Sequence, residues 1–259
     1  MAQSIPGTQV VSRAAAVLRV VSSHTPDGVT SSQVATLTSL TRPTAHRLLA
    51  SLAAEGFLDQ DSRTSTWHLG PELYLMGAVA APRYDITTIA QPLIHELASE
   101  TGESAFLSAR RGYETVCLVR EEGAFPIRSF VLYEGVRFPL GVASAGMAIL
   151  AFLPDDEIDA YLAHRESIST EFQRQHTPNL VWQRIREARA RGYSVNPGLI
   201  VQGSFGIGAA VFDESGRPAW ALSLTGVESR FSTERQPELG RLLVDKAHAL
   251  TQLLKGRRP

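Results

Sequence analysis

The strongest constraint on the fold lies in the first seventy residues, where apolar spacing switches in a fixed order from a helical to a strand period. Ala14, Val17, Leu18 and Val21 recur at three- and four-residue intervals, with Ser12 placed to cap the first turn. Thr25-Pro26-Asp27-Gly28 then breaks the pattern with a turn signal. Val34 and Leu37 give a second, shorter helix its apolar side, with Thr30 or Ser31 as cap. After a polar interruption from Thr38 to Thr41, Pro43 opens a third helix in which Ala45, Leu48, Leu49 and Leu52 face one way, and Gly56 ends it. Phe57-Leu58 and Trp67-His68-Leu69 read as two short strands around a polar turn, closed by Gly70-Pro71. Three short helices and a hairpin at this spacing predict a winged helix-turn-helix over residues 8–70.

Leu73 to Ala81 resumes a helical period and predicts a linker helix within 71–84, with Pro82 as its limit. From residue 85 the order changes to mixed helix and strand. Thr88 to Thr101 is amphipathic and stops at Gly102; Ser104–Ala109, Thr115–Arg120 and Ile127–Leu132 are strand-like, with Gly112 in the first turn. Ala145–Phe152, Asp155–His164 and Pro178–Arg191 read as helices, Ile207–Phe212 and Ala219–Leu224 as a hairpin, and Thr233–Leu254 as a long closing helix. Strand pairs joined by short turns, with helices before, between and after, predict an α+β domain over 85–259 with a largely antiparallel sheet.

With 259 residues, 44% of them hydrophobic, both domains have enough apolar residues for a core. The net charge of −1 excludes a polybasic coating protein and an acidic disordered tail. A single cysteine, Cys117, rules out an internal disulfide and a thiolate zinc cluster, and points to a reducing cytoplasm. Its apolar alternation reads as a small core residue. Met1 to Thr8 lacks a secretory pattern, and the longest apolar run, Met147 to Leu153, falls short of the ~18 residues of a membrane span, so no membrane partner is expected.

The third helix carries the first candidate site. In a helix-turn-helix its opening turn meets base edges and phosphates, while its apolar side rests on the other two helices. Thr41, Arg42, Thr44, His46 and Arg47 lie in or beside that turn, and arginine or threonine can serve either base or phosphate. Arg63, at the hairpin tip, is placed to lie against the sugar-phosphate backbone as a wing. Residues 1–70 hold five arginines against four acids, a balance of +1. So weakly charged a head must recruit backbone amides and bind as several copies.

Val11-Ser12-Arg13-Ala14, the segment Thr44-Ala45-His46-Arg47-Leu48-Leu49 and the wing exit Trp67-His68-Leu69-Gly70-Pro71-Glu72-Leu73 together resemble the IclR family of bacterial transcriptional regulators. The similarity continues through Leu93–Glu103, Pro139–Leu153 and Arg189–Arg241. The resemblance implies an amino-terminal winged helix-turn-helix, a helical linker and a carboxy-terminal GAF-like α+β effector domain. It implies a homodimer or dimer of dimers on double-stranded, pseudo-palindromic operator DNA. Where the family commonly has a serine before the threonine, this chain has Pro43, which lacks both a hydroxyl and an N–H, so Arg42 and Thr44 must carry more of the contact.

The resemblance also implies a small organic acid effector, bound between the sheet and the start of a helix. Gly141 to Met147 corresponds to the loop and helix start, putting Ser144 and Ala145 where free N–H groups favour a carboxylate. Asn196 and Gly206 fall where relatives often place an aspartate and a cysteine, Leu199 where a second acid is common, and Ser223 and Thr225 match a hydroxyl pair on the last strand. These replacements make the pocket more neutral and roomier, which points to an aromatic or hydroaromatic carboxylate rather than a two- or three-carbon acid. The alternative is that Gly206 and Gly208 only relieve crowding in the sheet.

An enzyme is not expected. Gly203-Ser204-Phe205-Gly206-Ile207-Gly208 lacks the phosphate-loop lysine and the dinucleotide spacing, and Val142-Ala143-Ser144-Ala145-Gly146 fails the nucleophile elbow at its first glycine. The seven histidines are scattered, and neither a metal nor a cofactor is indicated. The remaining alternative is a ligand-binding scaffold whose winged helix makes only protein contacts. A regulator controlling catabolic genes is the reading that the resemblance favours.

Overall fold

The computed structural model describes residues 9–81, 86–127, 131–164, 172 and 176–256, and contacts divide the chain into two compact units between residues 85 and 86. The first unit runs α1 (Gln9–Ser22), β1 (Val29–Thr30), α2 (Ser31–Leu37), α3 (Arg42–Ala54), β2 (Leu58–Asp61), β3 (Thr66–Leu69) and α4 (Pro71–Ala80). Ser12 lies inside α1, not at its cap, because the helix already includes Gln9 to Val11. Thr30 caps α2 through a capping box, its hydroxyl accepting from the Gln33 N–H while the Gln33 side chain accepts from the Thr30 N–H.

Val17, Val21, Val29, Val34, Ala45, Leu49, Leu58 and Trp67 form one buried core, tied at its edge by Trp67 Nε1 donating to Ser31 Oγ at 2.9 Å. The three short strands pair antiparallel in the order β1-β3-β2. Gly70 crosses the Gly56 carbonyl so closely that a Cβ would stand 2.2 Å from that oxygen, which explains the glycine that ends the wing. The linker helix α4 buries none of its residues: Tyr74, Leu75, Met76 and Val79 are all exposed.

The second unit contains α5 (Ile86–Thr101), β4 (Ser104–Arg111), β5 (Glu114–Glu121), β6 (Arg137–Pro139), α6 (Ser144–Ala151), α7 (Asp155–Ala163), α8 (Pro178–Arg191), β7 (Ser194–Asn196), β8 (Ser204–Phe212), β9 (Pro218–Val227), a 3-10 turn (Glu228–Arg230) and α9 (Gln236–Lys255). The sheet order is β6-β5-β4-β9-β8-β7, with every pair antiparallel. Of the expected strand Ile127–Leu132, residues 128–130 lie outside the described residues, and Val131 and Leu132 are not in a strand. Arg137–Pro139 pairs with β5 instead. The closing helix starts at Gln236, three residues later than its apolar period suggests, because Thr233 to Arg235 form a turn.

α5 and α9 cover one sheet face, where Ile94, Leu97, Leu239, Leu243 and Leu250 pack on Leu107, Ile207, Val211, Leu222 and Leu224. The other face holds α6, α7 and α8 over a second core that includes Ile149, Leu150, Ile158, Tyr161, Val181 and Ile185. On β8 the residues of this second face are Gly206, Gly208 and Ala210, alternating with Phe205, Ile207, Ala209 and Val211. Their size lets α6 lie directly on the strand: a Cβ on Gly208 would stand 2.6 Å from the Ser144 carbonyl oxygen.

Glu103, 2% exposed at the start of β4, accepts from Arg230 Nε at 2.8 Å and Arg235 Nη1 at 2.7 Å, fastening the turn after β9 to the sheet. Cys117 is buried against Phe106 and Leu132, and burial pushes its thiol up to about 12. No described helix is long and apolar enough to cross a membrane.

Candidate nucleic-acid interface and effector cleft

α3 begins at the capping residue Thr41, in extended backbone, with Pro43 in the first turn. Its cap position makes no side-chain bond to the helix; the Thr41 and Thr44 hydroxyls are hydrogen-bonded to each other at 2.9 Å. Pro43 removes one N–H from the turn, so Arg42 and Thr44 supply what remains there for an anion. Arg42, His46 and Arg47 are exposed and Thr44 half-buried, whereas Ala45 and Leu49 are fully buried beneath them. Arg47 lies back along the helix, Nε donating to the Pro43 carbonyl at 3.3 Å. Five of the six candidate residues thus gather around one helix start. Arg63 stands apart at the wing tip, its side chain 89% exposed, on a turn where its backbone N–H donates to Asp61 Oδ1 at 2.8 Å.

α6 also starts without a side-chain cap, following the extended residue Ala143. Here alternate carbonyls leading into and opening the helix are tied: Tyr161 Oη donates to Leu140 O, Asn196 Nδ2 to Val142 O at 2.6 Å, and Ser194 Oγ to Ser144 O at 2.6 Å. The helix start is therefore held in place from α7 and β7. A small, half-open cleft lies beside it, lined by Ser144, Asn196, Gly206 and Thr225 among polar and small residues, and by Leu132, Ile200 and Phe205 as an apolar wall.

The six candidate effector residues differ in what they offer. Thr225 is 5% exposed, and its hydroxyl, in the wall of the cleft, has no hydrogen-bond partner among the described residues. Ser144 and Gly206 line the cleft together, the hydroxyl of the first lying 3.0 Å from where a Cβ on the second would stand. Asn196 lines it too, but both ends of its amide are engaged, since Oδ1 also accepts from the Leu199 N–H at 2.9 Å. Ala145 packs its methyl into the core and can contribute only its backbone N–H. Ser223 is fully buried two residues from Thr225 on β9, does not line the cleft, and its hydroxyl is likewise unpartnered among the described residues.

Val131, Leu132, Gly198, Ile200 and Phe205 were not singled out from the sequence. The strand-like pattern around Leu132 and the apolar Ile200 after Gly198 are signals, but neither has a period that marks a cleft. None of the lining residues is charged, so a bound carboxylate would meet the dipole and N–H groups of α6 and not a cation. No group of acids, cysteines and histidines among the described residues could hold a metal.

Comparison with known proteins places this geometry. The IclR helix-turn-helix domain profile matches residues 10–62, and that of the bacterial transcriptional regulator IclR C-terminal domain matches residues 78–252. The HTH-type transcriptional regulator KipR of Bacillus subtilis is 32% identical over 224 residues, covering 86% of this chain and 88% of that protein. The crystal structure of Thermotoga maritima IclR superposes with a TM-score of 0.69 at 25% identity, over 96% of this chain and 99% of the other. An IclR homologue from Microbacterium hydrocarbonoxydans, crystallised with 4-hydroxybenzoate, shares the fold at a TM-score of 0.75 and 20% identity, over 95% and 100% of the two chains.

Proposed function

The chain belongs to the IclR family of bacterial transcriptional regulators, with a helix-turn-helix domain and a carboxy-terminal ligand-binding domain, and from that premise we propose that an aromatic or hydroaromatic carboxylate controls its hold on operator DNA. The observation that carries this reading is the pairing, in one cleft, of an uncapped helix start with the buried, unpartnered hydroxyl of Thr225. The carboxylate sits at the first turn of α6, near Ser144 and Ala145, and a hydroxyl or carbonyl elsewhere on the ligand meets Thr225. Leu132, Ile200 and Phe205 supply an apolar wall against which the ring packs. The Microbacterium homologue's 4-hydroxybenzoate is a ligand of this chemistry.

The same reading has the protein act in the cytoplasm as a homodimer or dimer of dimers on a pseudo-palindromic site. The exposed apolar residues of α4 favour a second copy, and the small positive charge of one head favours two heads on one operator. Thr41, Arg42, Thr44, His46 and Arg47 enter the major groove, and Arg63 rests on the backbone beside it. The genes controlled are those that degrade the ligand. Calorimetry with benzoate and 4-hydroxybenzoate against glyoxylate and pyruvate tests the effector; tight binding to the short acids alone overturns it. Gel retardation of the chain's own upstream DNA at rising salt tests the head, and affinity indifferent to salt would return the scaffold reading.

A further inference from the structure

Asn196, 6% exposed at the end of β7, joins two separate segments of the chain. Its Nδ2 donates to Val142 O at 2.6 Å, and its Oδ1 accepts from the Leu199 N–H at 2.9 Å. Both segments reach the effector cleft, which Ala143 and Ser144 line from the first and Gly198 and Ile200 from the second. One amide thus ties the opening turn of α6 to the loop that shares the cleft with it.

The two partners ask for opposite chemistry, since Val142 O needs a donor and the Leu199 N–H an acceptor. An amide supplies both without charge, whereas a carboxylate has no proton to give to Val142 O. A carboxylate here would also bring its own negative charge to the free N–H groups of α6 and compete with an anionic ligand for the helix dipole. Asn196 keeps the wall neutral, with both of its polar atoms engaged. Thr225 is then the buried hydroxyl of the cleft without a partner among the described residues, and it can bond one neutral group. No charged side chain lines the cleft, so a second negative charge on the ligand would be buried with no cation against it.

Building on the α6 start as the carboxylate site, we propose that Asn196 is the positioning residue that reserves this start for a single carboxylate. The effector accordingly carries one negative charge and, at its far end, a neutral hydrogen-bonding group.

Asn196→Asp tests the brace in the full chain without ligand. A protonated carboxyl group reproduces the amide, its O–H donating to Val142 O and its carbonyl accepting from the Leu199 N–H; the ionised group cannot donate. Burial and the Val142 acceptor raise the folded pKa of this aspartate above its unfolded value of about 3.9. The variant therefore matches the unmodified chain near pH ~4 and loses stability as pH rises toward the raised value. His176 and Arg184 line a separate hollow with Val142 and Leu199, but both are present in either chain, so their titration cancels in the difference. The urea midpoint of the variant, relative to the unmodified chain at each pH, is expected to fall by about 0.5 M or more between about pH 4 and about pH 8. If the variant unfolds at neutral pH, it refolds on acidification. A difference that does not depend on pH, or no recovery in acid, overturns the brace.

Calorimetry on the unmodified chain then compares terephthalate with 4-carbamoylbenzoate, which has the same ring and length and one charge fewer. The carbamoyl acid binds at least about tenfold more tightly at neutral pH. Equal affinities, or tighter terephthalate, overturn the single-charge rule. Binding of neither acid would remove the aromatic reading of the effector, and the ligand-free pH comparison would still decide the role of Asn196.

Discussion

α3 and α6 both begin without a side-chain cap, yet their surroundings make opposite uses of the vacant N–H groups. At α3 the turn is exposed and ringed by Arg42, His46 and Arg47, and a proline has removed one donor. At α6 the turn is buried, no charged side chain lines the cleft, and three carbonyls around it are tied to Tyr161, Asn196 and Ser194. The exposed start suits a polyanion read in high dielectric, where affinity follows the number of cations and the salt. The buried start suits one small anion whose charge is met by fixed dipoles and whose shape is met by an apolar wall. Where water is abundant, mobile cations select the partner; where it is scarce, placement does.

Six substitutions, the first two combined, break or sharpen that contrast. The largest effect is expected from Arg42→Ala with Arg47→Ala, each removing about 1–3 kcal/mol of base or phosphate contact, so that operator affinity in gel retardation falls by about 1.5 to 4 orders of magnitude. Effector affinity stays as it was, and an operator that binds as before places the recognition helix elsewhere. Next is Gly208→Ala, whose methyl would stand 2.6 Å from the Ser144 carbonyl oxygen and lift the buried helix start off the sheet. It costs about 1–3 kcal/mol in a urea titration of the effector domain, while Gly206→Ala, facing only a rotatable hydroxyl at 3.0 Å, costs less.

Thr225→Val is the most diagnostic of the smaller effects. It deletes a buried hydroxyl that has no described partner, so the ligand-free midpoint holds or rises, but effector affinity drops by about 0.5–1.5 kcal/mol. A fall in the ligand-free midpoint would mean that the hydroxyl is bonded within the fold and not reserved for a ligand. The smallest change belongs to Arg63→Ala: a modest loss of operator affinity, seen best as a decrease of about one in the slope of log affinity against log salt.

What the sequence disclosed follows from what is local. Helical periods, a cap at Thr30 or Ser31, Pro43 in a first turn and the wing hairpin are written within a few residues of one another, and so are the β4-β5 and β8-β9 hairpins. β7, with three residues, is too short to show a period, and it exists because Ser194 and Asn196 reach back some fifty residues to the α6 loop. Asn196 was legible as a cleft residue through family resemblance, but its engagement at both amide ends was not, since Val142 O lies in a different segment. The same holds for His176, a lone histidine in the sequence that only the fold sets against the Tyr161 hydroxyl. Ser223 and Thr225 look alike in the strand alternation, and only packing separates the one lining the cleft from the one that does not.

One consequence of β8 concerns how such a chain can diverge. Position 208 is closed to any side chain by the backbone of α6, whereas at position 206, two residues away on the same face, the one tight contact of a Cβ is with a hydroxyl that can turn aside. A methyl at residue 206 is therefore compatible with this packing, whereas at residue 208 it would have to move the start of α6.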